Sequence, residues 1–156
     1  MSTPWERAGD EQADRCVQRR DEAERVLALA EHLSRPDRLL VQRVLGDGMT
    51  VADFARLQRR SPRTLQSRLR GCIRRINSRE YRYVVGHRDL LPRSLRAVAR
   101  RLVLEGRGLR DTARLTGRSL HAVRQERARL AVLLEERLRR ANENSPDTEP
   151  VEKFNS

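Results

Sequence analysis

The segment from residue 36 to 76 constrains the fold most, because two sharp breaks divide it into three short helices. The first break is Gly46-Asp47-Gly48, where glycine ends a helix by entering positive φ at little cost. Thr50 then provides a good N-cap, with Asp53 three residues later in the first helical turn. The second break ends at Ser61-Pro62, a strong N-cap followed by a proline suited to the first helical position.

The third of these helices has one apolar face and one basic face. Its apolar residues recur at helical spacing and are Leu65, Leu69, Cys72, Ile73 and Ile76. Its opposite face carries Arg63, Gln66, Ser67, Arg70 and Arg74. A short helix, a tight turn and a second helix with a basic outer face are typical of a helix-turn-helix, whose second helix enters the major groove of DNA. We therefore predict that this segment binds double-stranded DNA.

The same stretch resembles region 4 of bacterial sigma factors, especially the short extracytoplasmic-function type, and more loosely other response-regulator helix-turn-helix domains. The resemblance is carried by Gly48-Met49-Thr50, Ala52-Asp53-Phe54-Ala55 and the residues from Ser61 to Leu69. It implies a core of Val51, Phe54, Ala55, Leu65 and Leu69, and base or phosphate contacts by Arg63, Thr64, Gln66, Ser67 and Arg70. The sequence departs from the family at Arg59-Arg60, where a glycine is usual in the turn.

A constant shift of 58 residues aligns this stretch with a second stretch of the chain. Gly48 aligns with Gly106, Ala55-Arg56-Leu57 with Ala113-Arg114-Leu115, and Ser61 with Ser119. We call two positions related by this shift equivalent. The alignment predicts an all-α protein with two tandem helix-turn-helix units similar to sigma region 4. Residues 35–77 are the first unit and residues 92–141 the second unit.

The recognition helix predicted for the second unit would present His121, Arg124, Gln125 and Arg129 to DNA. Arg127 stands where Leu69 packs the first unit, so either the apolar stripe shifts there or this unit is a degenerate, partly structural copy. The helix that follows Ser119 is long, and its far end is apolar.

Three further segments complete the predicted organisation. Residues 1–34 contain an amphipathic helix from Asp10 to Leu33, preceded by a loose start at residues 1–9. The helix either covers the core or pairs with another subunit, so that a homo-oligomer could form through residues 10–33 or 130–140. Residues 78–91 are β-prone but lack a partner strand, so we interpret them as a connector broken at Gly86. Residues 142–156 are predicted to be a disordered acidic tail.

The charge distribution agrees with DNA binding better than the total charge does. The chain carries a net charge of +12, but nearly all of its basic residues are arginine, as in proteins of GC-rich genomes. Both ends, residues 1–34 and 141–156, are net acidic, so the whole positive excess lies between them. That is the distribution expected of a polyanion-binding surface. No apolar run approaches the ~18–20 residues of a membrane span, and the acidic start is unlike a signal peptide.

Other chemistry finds little support in the residues. Cys16 and Cys72 fall in apolar stripes and are predicted to be reduced core thiols of a cytoplasmic protein. The histidines are scattered, and no phosphate-binding loop or nucleophile motif is present, so we expect no enzyme, no metal and no cofactor. We predict a sequence-specific, DNA-binding transcription regulator of the kind found in phages and mobile elements, with a contact to RNA polymerase left open.

Two alternatives remain at this stage. One is a phage DNA-packaging protein similar to a terminase small subunit. The other is an RNA-binding or antitermination factor, which is weaker because aromatic residues make up only 3% of the chain. The same scarcity argues against a complete sigma factor, because the aromatic-rich region that melts promoter DNA is missing.

Overall fold

The computed structural model describes residues 4–143, with side chains from residue 17 onward. Within that range the chain forms eight α-helices and no strand, which confirms the all-α prediction. The helices are α1 (Pro4–Ala30), α2 (Arg35–Val41), α3 (Val51–Gln58), α4 (Pro62–Ile76), α5 (Arg79–His87), α6 (Arg93–Ala99), α7 (Leu109–Thr116) and α8 (Leu120–Glu143). A π-helical turn continues α2 over Gln42–Gly46 and α6 over Arg100–Leu104, and a 3-10 turn follows α5 over Arg88–Leu90.

The first and second units share the same local structure. Helices α2 and α3 recur as α6 and α7 with both bounds at equivalent positions, and α8 begins at the position equivalent to the start of α4. At the end of each π turn, a backbone N–H donates a hydrogen bond to the carbonyl oxygen five residues earlier. These bonds run from Asp47 N to Gln42 O at 3.0 Å and from Glu105 N to Arg100 O at 2.9 Å. Gly48 and Gly106 then take φ values of 69° and 66°. The sequence repeat is therefore also a repeat of helix bounds and turns.

The helix starts agree with the predicted caps except at Ser61. Thr50 Oγ1 accepts the Asp53 N–H at 3.1 Å, and Ser119 Oγ accepts the Ala122 N–H at 3.1 Å. Ser61 occupies the N-cap position of α4, but its side chain makes no capping hydrogen bond, so the prediction of a strong cap was wrong. The first turn of α4 begins instead with Pro62, whose fixed φ suits that position.

A single core runs through both units. It contains the residues that the resemblance implied for the first unit, since Phe54, Ala55, Leu65 and Leu69 are buried and Val51 is half-buried. The second unit contributes a comparable set, including Leu95, Val103, Leu104 and Leu130. Cys72 is buried and reduced, as predicted; the side chain of Cys16 lies outside the described residues.

Helix α1 is longer at its start and shorter at its end than predicted. It begins at Pro4, so the prediction that residues 1–9 are loose was wrong for residues 4–9. It ends at Ala30, and Leu33 is buried in the turn beyond it. Its last turns pack inside the molecule through Val26 and Ala30, whereas Val17 is 58% exposed. Intramolecular packing thus accounts for the end of α1 that follows Val17.

The predicted connector is in fact a helix. Helix α5 runs through Gly86, so the prediction that this glycine breaks the chain was wrong. Ser78 caps it by accepting the Tyr81 N–H at 3.2 Å, and Tyr81 and Val84 are buried. The hydroxyl of Tyr81 donates to Leu29 O at 2.7 Å, which ties α5 to the end of α1. Burial of this face outweighs the β propensity of its tyrosine and valine residues. At the other end of the chain, α8 includes residues 142 and 143, and the rest of the predicted tail lies outside the described residues.

Candidate nucleic-acid interface

The turn between α3 and α4 forms without the glycine that is usual there. Arg59 ends α3 with φ 50° and ψ 44°, in the left-handed region. The Arg60 N–H donates to Ala55 O at 2.9 Å. In the second unit Gly117 ends α7 with φ 64° and ψ 27°, and the Arg118 N–H donates to Ala113 O at 3.0 Å. Both helix pairs are therefore joined by the same turn, with an arginine in place of glycine in the first.

A buried carboxylate locks α4 against α2. Asp37 is 6% exposed and accepts hydrogen bonds from Arg68 Nε at 2.6 Å and Arg75 Nη2 at 2.9 Å. Burial by itself would raise the pKa of Asp37, but these hydrogen bonds outweigh it and hold the pKa below its usual value. We call Asp37, Arg68 and Arg75 the aspartate clamp. Local sequence patterns do not predict the aspartate clamp, because the arginines lie 31 and 38 residues from the aspartate.

The outer face of α4 is left free by this packing. All six residues predicted to contact DNA from this helix are exposed: Arg63, Thr64, Gln66, Ser67, Arg70 and Arg74. Leu65 and Leu69 point the other way and are buried. Among the described residues, no side chain forms an ion pair with the three arginines of this face. Arg59 and Arg60 are also exposed in the turn just before α4. The run of basic residues ahead of Ser61 was the signal that could have added them to the predicted site.

The first turns of α8 resemble those of α4, but the outer face of α8 becomes less basic further along the helix. His121, Arg124, Gln125 and Arg129 are all exposed, as DNA contact would require. The positions equivalent to Arg70 and Arg74, however, are Ala128 and Val132. Val132 is 54% exposed. The basic face of the second unit is therefore shorter than that of the first.

The apolar stripe of α8 does not shift at Arg127, because its buried residues Val123 and Leu130 stand at the positions equivalent to the buried Leu65 and Cys72. Arg127 is exposed, whereas Val123 and Leu130 are fully buried on one side of α8. Between them Glu126 turns inward, with its side chain 14% exposed and its carboxylate 3.6 Å from Arg118 Nη1. The second unit thus packs its long helix without a counterpart of Leu69.

The side chains of the described residues form no candidate metal site. Among the side chains of residues 17–143, no group of three histidines, cysteines or carboxylates could hold a metal ion. Burial raises the pKa of Cys72 to about 11, which keeps it a thiol at neutral pH. His87 stacks on Tyr83 with ring centroids 4.6 Å apart.

Nowhere in residues 4–143 is a helix both long enough and apolar enough to cross a membrane. No family model, curated protein or solved structure matches this chain.

Proposed function

We propose that this protein is a transcription regulator that binds specific double-stranded DNA through two tandem helix-turn-helix units similar to sigma region 4. The observation that carries the proposal is the outer face of α4. It is exposed and basic, it directly follows a tight turn, and its helix is held from behind by the core and the aspartate clamp. A rigid helix with a free basic face is what major-groove docking requires.

Residues at different positions along α4 suit two different contacts, with base edges and with the phosphate backbone. Arg63 and Gln66 lie in its opening turns, where a recognition helix meets base edges, and can pair with guanine and adenine through two hydrogen bonds each. Arg70 and Arg74 lie further along and suit the phosphate backbone. In the second unit, only His121, Arg124 and Gln125 repeat this pattern at the opening of α8. We therefore assign the main reading role to the first unit.

The distribution of aromatic side chains favours duplex DNA over single strands. Stacking of unpaired bases needs exposed aromatic rings. Within residues 17–143, Phe54 and Tyr81 are buried and Tyr83 is half-buried against His87. An RNA-binding or antitermination function is disfavoured on this ground.

Selection of bound fragments from a random duplex pool would identify the target sequence. The affinity for that target should then be measured as a function of salt. Neutralising about six phosphates predicts a slope of log K against log salt of about −5. A single-stranded oligonucleotide of the same sequence is the control and should bind more weakly. Failure to enrich any sequence, or a flat salt response, would overturn the proposal.

A further inference from the structure

A basic cleft lies where the first and second units meet. It has a volume of about 460 Å³ and is lined by residues that follow α1, by the start of α2, and by the π turn after α6. Six arginines line it: Arg35, Arg38, Arg88, Arg100, Arg101 and Arg107. We call this the arginine cleft. Its volume falls within the range of small-molecule sites in proteins.

The positive charge of the arginine cleft is not balanced by the protein. Only two carboxylates line it, Glu31 and Glu105. Glu105 is shared among three guanidinium groups, at 3.3 Å from Arg100, 2.8 Å from Arg101 and 3.7 Å from Arg107. Its side chain is only 8% exposed, so it is fixed in the middle of the cluster. Within the described residues, Arg35 and Arg88 have no carboxylate partner, which leaves a marked positive excess.

The first unit shows that this cluster is not needed to form the turn. The positions equivalent to Arg101 and Glu105 are Arg43 and Asp47, which make the same ion pair at 2.8 Å. The positions equivalent to Arg100 and Arg107 are Gln42 and Met49. The same π turn and the same positive-φ glycine therefore form with one arginine instead of three. The two additional arginines of the second unit call for another explanation.

We propose that the arginine cleft binds the polyphosphate group of a small ligand, such as a nucleoside triphosphate. Guanidinium groups match phosphate oxygens through paired, charge-assisted hydrogen bonds. Glu105 holds three of these groups in position, and the ligand supplies the negative charge that the cleft lacks. Because both units contribute to its lining, a bound ligand bridges them.

The location of the cleft separates it from the proposed DNA-reading surface. None of the ten residues assigned to DNA contact lines it. Its arginines come from α2 and from the turns after α5 and α6, whereas the proposed reading residues lie on the outer faces of α4 and α8. The phosphates of a duplex are the other source of the same chemistry, and the experiment below distinguishes the two.

Isothermal titration calorimetry of the full chain with inorganic tripolyphosphate and with ATP, at about 150 mM salt, tests the proposal. The double variant Arg100→Gln, Arg107→Met copies the residues of the first unit and should retain the fold, which circular dichroism and thermal melting would verify. It should weaken tripolyphosphate binding at least about tenfold, because charge-assisted hydrogen bonds are lost. The control Arg79→Gln, Arg110→Met removes the same charge from exposed positions outside the cleft and should change the affinity less than about twofold.

Three results would overturn the proposal. The first is no measurable binding of either probe by the parent. The second is an equal loss in the two double variants, which would show that net charge alone attracts the probe. The third is a loss of duplex affinity in the cleft variant as large as its loss of tripolyphosphate affinity, which would assign the cleft to the DNA backbone. The calorimetric result does not depend on DNA binding, so failure of the proposed function would leave this test intact.

Discussion

Arg59 and Gly117 hold the same left-handed backbone conformation at equivalent positions, the ends of α3 and α7. Each is followed by an N–H that closes the turn onto an alanine carbonyl, Ala55 in the first unit and Ala113 in the second. Glycine adopts this conformation without steric cost, whereas the Cβ of an arginine comes too close to the following carbonyl oxygen. The first unit therefore keeps a strained residue in the turn that leads into α4.

Replacing Arg59 with glycine should stabilise the protein. Relief of the left-handed strain exceeds the greater flexibility that glycine gives to the unfolded chain, so we expect a gain of up to about 1 kcal/mol. Denaturant unfolding would measure it. Gly117→Arg is the mirror experiment and should destabilise the protein by a comparable amount. A lower stability for Arg59→Gly would show that the arginine side chain contributes contacts that outweigh the strain.

The aspartate clamp has an apolar counterpart in the second unit. The positions equivalent to Asp37 and Arg75 are Leu95 and Leu133, and both leucines belong to the core region. Asp37→Leu alone should cost about 1–3 kcal/mol, because it leaves the poorly solvated Arg75 without its carboxylate partner. Arg75→Leu alone should cost less, because Asp37 keeps its hydrogen bond from Arg68. The double variant should cost less than the sum of the two, since replacing both members of a buried pair is often tolerated. A double-mutant cycle of unfolding free energies tests this, and additivity would contradict it.

The stabilisation from Asp37 should depend on pH. Its pKa is lowered in the folded state, so its contribution is fully present above the usual carboxyl value of 3.8 and is lost as the pH falls through the lower, folded value. Asp37→Asn should therefore be less stable than the parent at pH 7. The difference between the two should shrink below about pH 4. A difference that stayed constant from pH 7 to the acid limit would mean that the carboxylate charge is not what stabilises the clamp.

The hydroxyl of Tyr81 should contribute measurably to the attachment of α1. Tyr81→Phe keeps the buried ring but removes the donor to Leu29 O, so we expect a loss of about 0.5–1.5 kcal/mol. Tyr83→Phe is the matched control, because that ring is half-buried and its hydroxyl donates no hydrogen bond to the described residues. Thermal unfolding of the two variants compares them directly. Equal effects would show that the hydrogen bond adds nothing beyond ring packing.

Reading and folding should separate on the two faces of α4. Arg63→Ala and Gln66→Ala remove exposed side chains and should leave stability within about 0.5 kcal/mol of the parent. They should abolish most of the preference for the selected site while sparing much of the salt-dependent background. Leu65→Ala should lose about 2–5 kcal/mol through a core cavity. Competition binding and denaturant unfolding measure the two properties. If Arg63→Ala and Gln66→Ala both kept the site preference, the bases would have to be recognised by the second unit instead. The residues concerned would be His121, Arg124 and Gln125.

The sequence by itself was sufficient for features that depend on nearby residues. The break at Gly48, the cap at Thr50 and the apolar stripe from Leu65 to Ile76 all follow from short-range geometry, and the structure bears each of them out. The repeat of helix bounds could be read for the same reason, because equal local signals recur at equal spacing. The exposure of the predicted reading residues follows from the stripe, since a helix that buries one face presents the other.

Only the tertiary structure decided the features that depend on distant partners. The segment containing Tyr81 is helical because its apolar face is buried between the units, and burial outweighs weak local propensity. Asp37 is a clamp only because folding brings Arg68 and Arg75 onto it from another helix. The arginine cleft likewise exists only where the two units meet. Packing decides which charged side chains that are distant in sequence come close enough to pair, and which arginines remain without a carboxylate. These contacts matter because they form in an environment less polar than water.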